Sequence, residues 1–288
     1  NNIDSIINYF DDSAVFIAID LHFELLFNSV YVEFLTQQKN RGTKLFSIQY
    51  DLIPLHQNYS AEGMRQHFNN NMNIYANLFD GVISISKAVA DEYIEWFLNN
   101  SDEHNNKLSI GYFHLGCDSD NYNSHHASNN AEDLSMLSNK KYMLMVSTIE
   151  PRKGHAQVLE AFEKLWDNGS DYCLVFVGKQ GWNVEKLIDK MSKHQQLNKK
   201  LFWLQGISDQ ALTKVYEMSS AFIMASFAEG FGLGIVESAK YNKPLILRDI
   251  PVFREIAENN AYYFDCLTGD DLAADLNCWI GLHESGKE

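Results

Sequence analysis

The stretch Glu229-Gly-Phe-Gly-Leu-Gly-Ile-Val-Glu237 decides how the chain is read. Two carboxylates bracket a glycine-rich turn. An apolar run, Ala221-Phe-Ile-Met-Ala225, precedes it, and an amphipathic segment, Ile235-Val-Glu-Ser-Ala-Lys240, follows. Strand, glycine turn and helix in that order aim backbone N–H groups and the positive end of a helix dipole at whatever enters the turn, which favours an anion. Glycine lets a ligand approach the backbone closely. Carboxylates beside such an anion can accept from neutral hydroxyls, and phosphate with hydroxyls points to a nucleotide sugar. With a helix starting near Gly232, Glu237 lies about 7.5 Å along its axis, while Glu229 precedes it in the loop. The two carboxylates therefore have different duties, unlike the paired acid and base of a glycosidase, which need a common focus. Glu237 can reach a ribose, as an acidic residue does in dinucleotide folds, and Glu229 is placed near the group beyond the phosphates. On composition alone, a glycine-rich turn with a solvated Glu at each end explains the stretch equally well.

Outward from this turn, apolar runs and amphipathic stretches alternate almost from end to end. In the first half, strands are expected over 14–19, 44–50, 81–85 and 107–113, with helices over 24–39, 61–79 and 87–98. From Cys117 to Asn139 the composition turns to Asp, Asn, Ser and His, the best linker candidate. The alternation then restarts. Strands are expected over 142–147, 172–177, 201–204, 221–225, 244–247 and 261–264; helices are expected over 156–166, 184–193, 209–218, directly after the glycine turn, and over 252–258. Such alternation implies parallel sheets built from βα units. It divides the chain into two doubly wound α/β domains, 1–117 and 140–288, joined by a polar linker over 118–139. Ligands of such sheets bind at the carboxyl ends of strands, and two facing domains make a cleft there. Four strands are few for this architecture, so the first domain is expected to lack N-terminal units.

Composition narrows the partners. The 288 residues, 45% hydrophobic and 13% aromatic, suit one large or two ordinary globular domains. A formal net charge of −15 argues against a nucleic-acid surface or an anionic-lipid patch. A phosphate ligand must then be met by local cations and backbone amides. Cys117, Cys173, Cys266 and Cys278 are scattered, with no C-x-x-C pair and no His at zinc spacing. They read as reduced, mostly buried thiols of a cytoplasmic protein. No apolar run reaches the roughly 18 residues of a spanning helix, and no signal peptide is visible.

Several other stretches carry candidate chemistry. Ser147-Thr-Ile-Glu-Pro-Arg-Lys-Gly-His155 ends one strand and opens a helix. Arg152 and Lys153 place two adjacent cations at that helix start, suited to a diphosphate, and Thr148 can add a hydroxyl donor. A basic pair on a surface loop would explain these residues alone; two helix-opening turns converging in one domain argue against it. Gly178-Lys-Gln-Gly-Trp182 follows the next strand: Gly178 permits close approach, Lys179 stands beside it, and Trp182 offers an apolar plate. An ordinary turn with a packed Trp explains them equally well. In Gly206-Ile-Ser-Asp209, Ser208 or Asp209 is an expected N-cap, and main-chain groups near Ile207 can read a nucleobase edge. In the first half, Asp51, Pro54 and His56 follow a strand end, as do Ser86 with Lys87 and His114-Leu-Gly116. A lone His is more often structural than catalytic, which applies to His22, His56 and His114. His125-His126 has no carboxylate or thiol companion at ligand spacing, so no metal site is expected.

Together these residues resemble the retaining glycosyltransferases of family four. Glu229 and Glu237 match that family's E-x7-E signature. Flanking matches are Ile149-Glu-Pro-Arg-Lys-Gly154, Ile207-Ser-Asp209, Pro251-Val-Phe-Arg-Glu255 and Ala261-Tyr-Tyr-Phe264. Tyr50-Asp-Leu-Ile-Pro54, Ile85-Ser-Lys87 and His114-Leu-Gly116 look like the subgroup that includes bacterial O-antigen mannosyltransferases. The resemblance implies a GT-B fold, two doubly wound Rossmann-like α/β domains facing across a cleft, the second taking the donor and the first the acceptor. It implies catalytic roles for Glu229, Arg152 and Lys153. Donor contacts fall to Glu237, Phe231, Gly232, Leu233, Gly234, Thr148, Gly178, Lys179 and Ile207. Asp51, His56, Ser86 and His114 would line the acceptor side. The implied reaction moves mannose from GDP-mannose to a glycan or lipid-linked glycan of a surface polysaccharide, with retention and without a metal or other cofactor, in the cytoplasm or at the inner face of the membrane.

The chain departs from that pattern in places. Many members carry Arg where Thr148 stands, and proline where Gly234 stands. The family's first βα units have no counterpart before Ala14, and its crossing helix is missing after Glu288, so the chain is expected to be part of a larger, multidomain enzyme. A catalytically dead glycan-binding or scaffold module of the same fold is the main alternative. A nicotinamide-dependent oxidoreductase is disfavoured, because no G-x-G-x-x-G with an acidic residue about 20 positions on follows either first strand. Phosphorylase-like chemistry lacks a cofactor-lysine context.

Overall fold

The structure is a computed structural model that describes residues 14–19, 29–56, 58–60, 62–100, 107–116 and 134–286. Its contacts form two units, Asn1–Leu115 with Glu229–Phe231, and Gly116–Ala228 with Gly232–Glu288. His22, Ala61, Cys117, the His125-His126 pair, positions 24–28 of the first expected helix and 118–133 of the expected linker lie outside the described residues.

In the first unit four strands, β1 (Val15–Ala18), β2 (Lys44–Gln49), β3 (Gly81–Ser84) and β4 (Ser109–Tyr112), pair in chain order, all parallel. Parallel neighbours need long crossovers, and α1 (Ser29–Asn40), α2 (Glu62–Leu78) and α3 (Lys87–Asn99) lie between them in the chain. Leu35, Leu45, Tyr75 and Phe79 form one buried cluster, and Leu52, Phe68, Met72, Val82 and Tyr93 another. Asp80 ties the start of this sheet together: its Oδ2 accepts from the Leu45 amide at 2.9 Å.

The second unit has six parallel strands in the order β10-β9-β8-β5-β6-β7. They are β5 (Tyr142–Val146), β6 (Cys173–Val177), β7 (Leu201–Leu204), β8 (Ala221–Met224), β9 (Leu245–Arg248) and β10 (Tyr262–Phe264). The helices are α4 (His155–Asp167), α5 (Glu185–Ser192), α6 (Asp209–Met218), α7 (Leu233–Lys240), α8 (Pro251–Ala257) and α9 (Gly269–Glu284). Strands β6, β8 and β9 are buried at every position, as a sheet covered on both faces requires. Phe162, Leu174, Phe176, Ile223, Ile246 and Trp279 anchor one continuous core. The winding reverses between β5 and β8, and among the described residues only this unit shows such a reversal. The carboxyl ends of the strands at such a reversal are where doubly wound sheets bind ligands.

The elements follow the sequence expectations to within a residue or two, with one correction. No helix was expected beyond 264, yet α9 packs along α4. Thr268 caps it, its Oγ1 accepting from the Asp271 amide at 3.1 Å, and Leu272, Leu276 and Trp279 are its buried face. Gly269, Asn277 and Gly281, all poor helix formers, obscure that face in the sequence. Gly269 is needed: a Cβ there would stand 2.5 Å from the Glu160 Cβ on α4.

Candidate functional site

The loops at the reversal of the second sheet are stitched together by the residues the sequence singles out. After β5 the chain passes Thr148 and forms a 3-10 turn, Pro151–Lys153, before Gly154 opens α4 with φ +80°. A Cβ on Gly154 would lie 2.4 Å from the Ala225 carbonyl oxygen just past β8. Only glycine allows this turn to rest on that strand end. Two bonds complete the seam: the Phe227 amide donates to the Arg152 carbonyl at 2.8 Å, and Arg152 Nη1 donates to the Ala228 carbonyl at 2.9 Å. Arg152 Nε also sits 3.4 Å from Glu150 Oε2, both side chains 19% exposed. The guanidinium thus braces the turn and the segment that runs into Glu229. Lys153, half-buried, is the next residue.

The loop after β6 lies against the same turn. Gly178 has φ +148°, and a Cβ there would overlap the Ser147 carbonyl oxygen at 2.0 Å. The Ile149 amide donates to Lys179, the Gly181 amide donates to Ile149, both at 2.9 Å, and Trp203 Nε1 donates to the Gly178 carbonyl at 2.9 Å. Thr148 is half-buried within this layer, whereas Lys179 and Trp182 are exposed. After β7, Ile207 is half-buried and Ser208 caps α6, accepting from the Ala211 amide at 3.2 Å. Parallel strands deliver all four loops to one edge.

On the β8 side, Gly232 has φ +95° and stands at the N-cap of α7, with Leu233 exposed and Gly234 in the first turn. A Cβ on Gly234 would meet the Phe222 ring at 2.8 Å, so glycine in place of the family's proline lets α7 settle on β8. Glu237, one turn further, is half-buried and accepts from the Tyr216 hydroxyl at 2.9 Å. Sequence reasoning missed Tyr216 and also Arg248. The Arg248 side chain is buried, with Nε donating to Ala225 at 3.0 Å, Nη1 to Cys266 at 2.9 Å and Nη2 to Gln157 Oε1. Its guanidinium lies 3.9 Å from the centre of the Phe227 ring. A charged residue closing the otherwise apolar Leu245-Ile-Leu-Arg248 was the available signal.

His155, beside Lys153, is 1% exposed, 3.4 Å from Ser147 Oγ and edge-on to Phe176. Burial, reinforced by the Lys153 charge, pulls its pKa from the ordinary 6.5 to about 3. The folded state therefore binds fewer protons than the unfolded chain. This stabilisation is full above pH 6.5 and is lost as pH falls from there toward 3. Between pH 7 and 4.5 we expect a loss of about 2–3 kcal/mol, and His155→Gln to remove that part of the acid dependence in urea titrations. An equal acid loss in the variant would contradict it.

The first unit holds the other expected residues. Asp51 Oδ1 accepts from the Ile53 amide at 3.0 Å, a local turn bond. His56 Nε2 lies 2.7 Å from Glu92 Oε1, and that hydrogen bond raises its pKa although both groups remain open to solvent. Ser86, expected to face a ligand, is fully buried: its hydroxyl caps α3, accepting from Val89 at 3.2 Å, and donates at 2.7 Å to Gly230, which groups with this unit. Exposed His114 has its ring 5.8 Å from that of Phe231, another member of the same tripeptide. Among the described residues no group of three or more His, Cys, Asp or Glu is placed to hold a metal, and no helix is long and apolar enough to cross a membrane.

Comparison with known proteins adds to this geometry. The family model for glycosyl transferases group 1 matches residues 128–285. The serotype-specific mannosyltransferase WbdA of Escherichia coli is 41% identical over 283 residues, which are 96% of this chain and 34% of WbdA. The O-antigen chain mannosyltransferase RfbU of Salmonella typhimurium is 29% identical over 183 residues, 63% of this chain and 46% of RfbU. The chain spans about a third of the length of the WbdA relatives it matches. Among solved structures, TarM superposes with a TM-score of 0.68 at 15% identity, covering 99% of this chain and 52% of TarM. Anabaena HepE in complex with UDP-glucose gives 0.70 at 16% identity, covering 99% and 73%. These likenesses establish the GT-B type of fold.

Proposed function

Because the chain belongs to the group 1 glycosyl transferases, we propose that it transfers a hexose with retention, mannose from GDP-mannose, to a glycan or lipid-linked glycan acceptor of a surface polysaccharide. The observation that carries this reading is the seam at the winding reversal of the second unit, where the Arg152-Lys153 turn meets both the exit of β8 and the Gly178 loop. The mannosyl donor is supported by the names of the two mannosyltransferase relatives. The work is done at the cytoplasmic face, where nucleotide sugars are made.

In this reading the nucleoside lies along the ends of β6 and β7, with main-chain groups near Ile207 reading the base and Glu237 taking the ribose. The diphosphate meets Thr148, Lys153 and the amides at the start of α7. Lys179 adds positive charge at the rim. As the bond between the anomeric carbon and the diphosphate breaks, charge grows on the leaving oxygen, and Lys153 stabilises it without a metal. The acceptor oxygen attacks on the same face and its proton passes to the diphosphate, which preserves configuration. Glu229, with the amides of Phe231 and Gly232, orients the donor sugar. Asp51, His56 and His114 are the acceptor-side candidates; Arg152 acts as the brace described above.

Assay of the protein with GDP-mannose and a lipid-linked glycan should give mannosyl transfer that falls about a hundredfold in Glu229→Ala, the scale of losing one well-placed transition-state contact. Nucleotide binding without turnover in the native protein would indicate a non-catalytic module instead. Near-native turnover in Glu229→Ala would sink the assignment of that residue.

A further inference from the structure

The Glu237 carboxylate is held from behind by a built arrangement. Tyr216, on α6, is 2% exposed and donates its hydroxyl to Glu237 Oε2 at 2.9 Å. Its ring is locked on two sides. It stacks on Tyr241 with centroids 5.2 Å apart and planes 12° from parallel, and it lies 6.0 Å from Phe222. Tyr241 is itself fixed, its hydroxyl 3.1 Å from Thr213 Oγ1 on α6. Phe222 is the ring against which Gly234 packs, three residues before Glu237 on α7. Helix position and carboxylate orientation are thus set by one aromatic stack.

A carboxylate has two acceptor oxygens. With Oε2 taken by a buried, immobilised phenol, the carboxylate plane is fixed and Oε1 can accept from a diol. We propose that Tyr216 is the positioning residue of the donor site: it orients Glu237 so that the nucleotide's ribose hydroxyls are bound by an acceptor already in place. This rests on the donor-site reading above. Since preorganisation acts on the bound ribose and not on the departing diphosphate, the effect belongs in donor affinity and KM rather than in kcat.

The test is calorimetric titration of native protein and Tyr216→Phe with GDP and with 2′,3′-dideoxy-GDP, which lacks the hydroxyls in question. Phenylalanine keeps the ring stack and removes only the donor. The expected result is about tenfold weaker GDP binding in the variant, the scale of one hydrogen bond to a charged group, with dideoxy-GDP binding unchanged. Donor KM should rise by a similar factor at constant kcat. In a Glu237→Gln background the same substitution should have no further effect. Equal weakening of both nucleotides, unaltered GDP binding, or additive losses in the double variant would overturn the proposal while leaving the nucleotide site intact. If native protein binds no GDP, the donor-site reading falls and this inference falls with it.

Discussion

Lys153→Ala lowers the turnover number for sugar transfer about 10²–10³-fold, the typical cost of removing one group aimed at the charge that grows in a transition state. The largest such charge in this reaction is on the leaving diphosphate. The net charge of −15 means that no general positive field can replace a local cation. Lys153 sits at the end of a turn fastened to the β8 exit by the Gly154 contact, the Phe227–Arg152 backbone bond and the Arg152 side chain. Arg152→Ala should behave differently. It leaves the Ala228 carbonyl without that donor and loosens the turn, so it lowers thermal stability together with activity. Rate measurements and melting curves on the two variants separate the roles. Equal rate losses with equal stability would mean that both side chains face the diphosphate.

Arg248→Met should destabilise the second unit by roughly 4 kcal/mol. The substitution leaves the Ala225 and Cys266 carbonyls and Gln157 Oε1 without the guanidinium, and each buried acceptor left unmade costs about 1–3 kcal/mol. Methionine retains much of the apolar contact with Phe227 and Phe264, so the loss is chiefly polar. For a unit of this size the melting temperature should fall by about 10 °C, at about 2–4 °C per kcal/mol. Nucleotide affinity should fall with it, because Ala225 and Phe227 are the residues on which the Lys153 turn rests. A drop under about 1 kcal/mol would show that other donors or water satisfy those acceptors.

Much of this molecule was legible in its sequence. The βα alternation, the glycine turn before α7 and the candidate cations all depend on local patterns, which periodicity and spacing report directly. What stayed hidden depends on contacts between distant residues. Arg152 reaches a carbonyl 76 positions away, Arg248 an amide side chain 91 away, and Tyr216 a carboxylate 21 away. No local pattern marks Arg152 as the brace between a turn and a strand exit. Ser86 shows the converse: a serine after a strand looks equally like a cap or a ligand donor, and burial assigns it to the cap. Helix α9 was obscured by its glycines although Thr268-Gly-Asp-Asp271 carried a cap signal.

The most direct measurement is calorimetric titration of the protein with GDP and UDP, repeated on Lys153→Ala and Glu237→Ala. The expected result is saturable binding of GDP at one site, tighter than UDP, weakened at least tenfold by each substitution. Binding of neither nucleotide, or GDP affinity unchanged in both variants, would contradict a donor site at the winding reversal of the second unit.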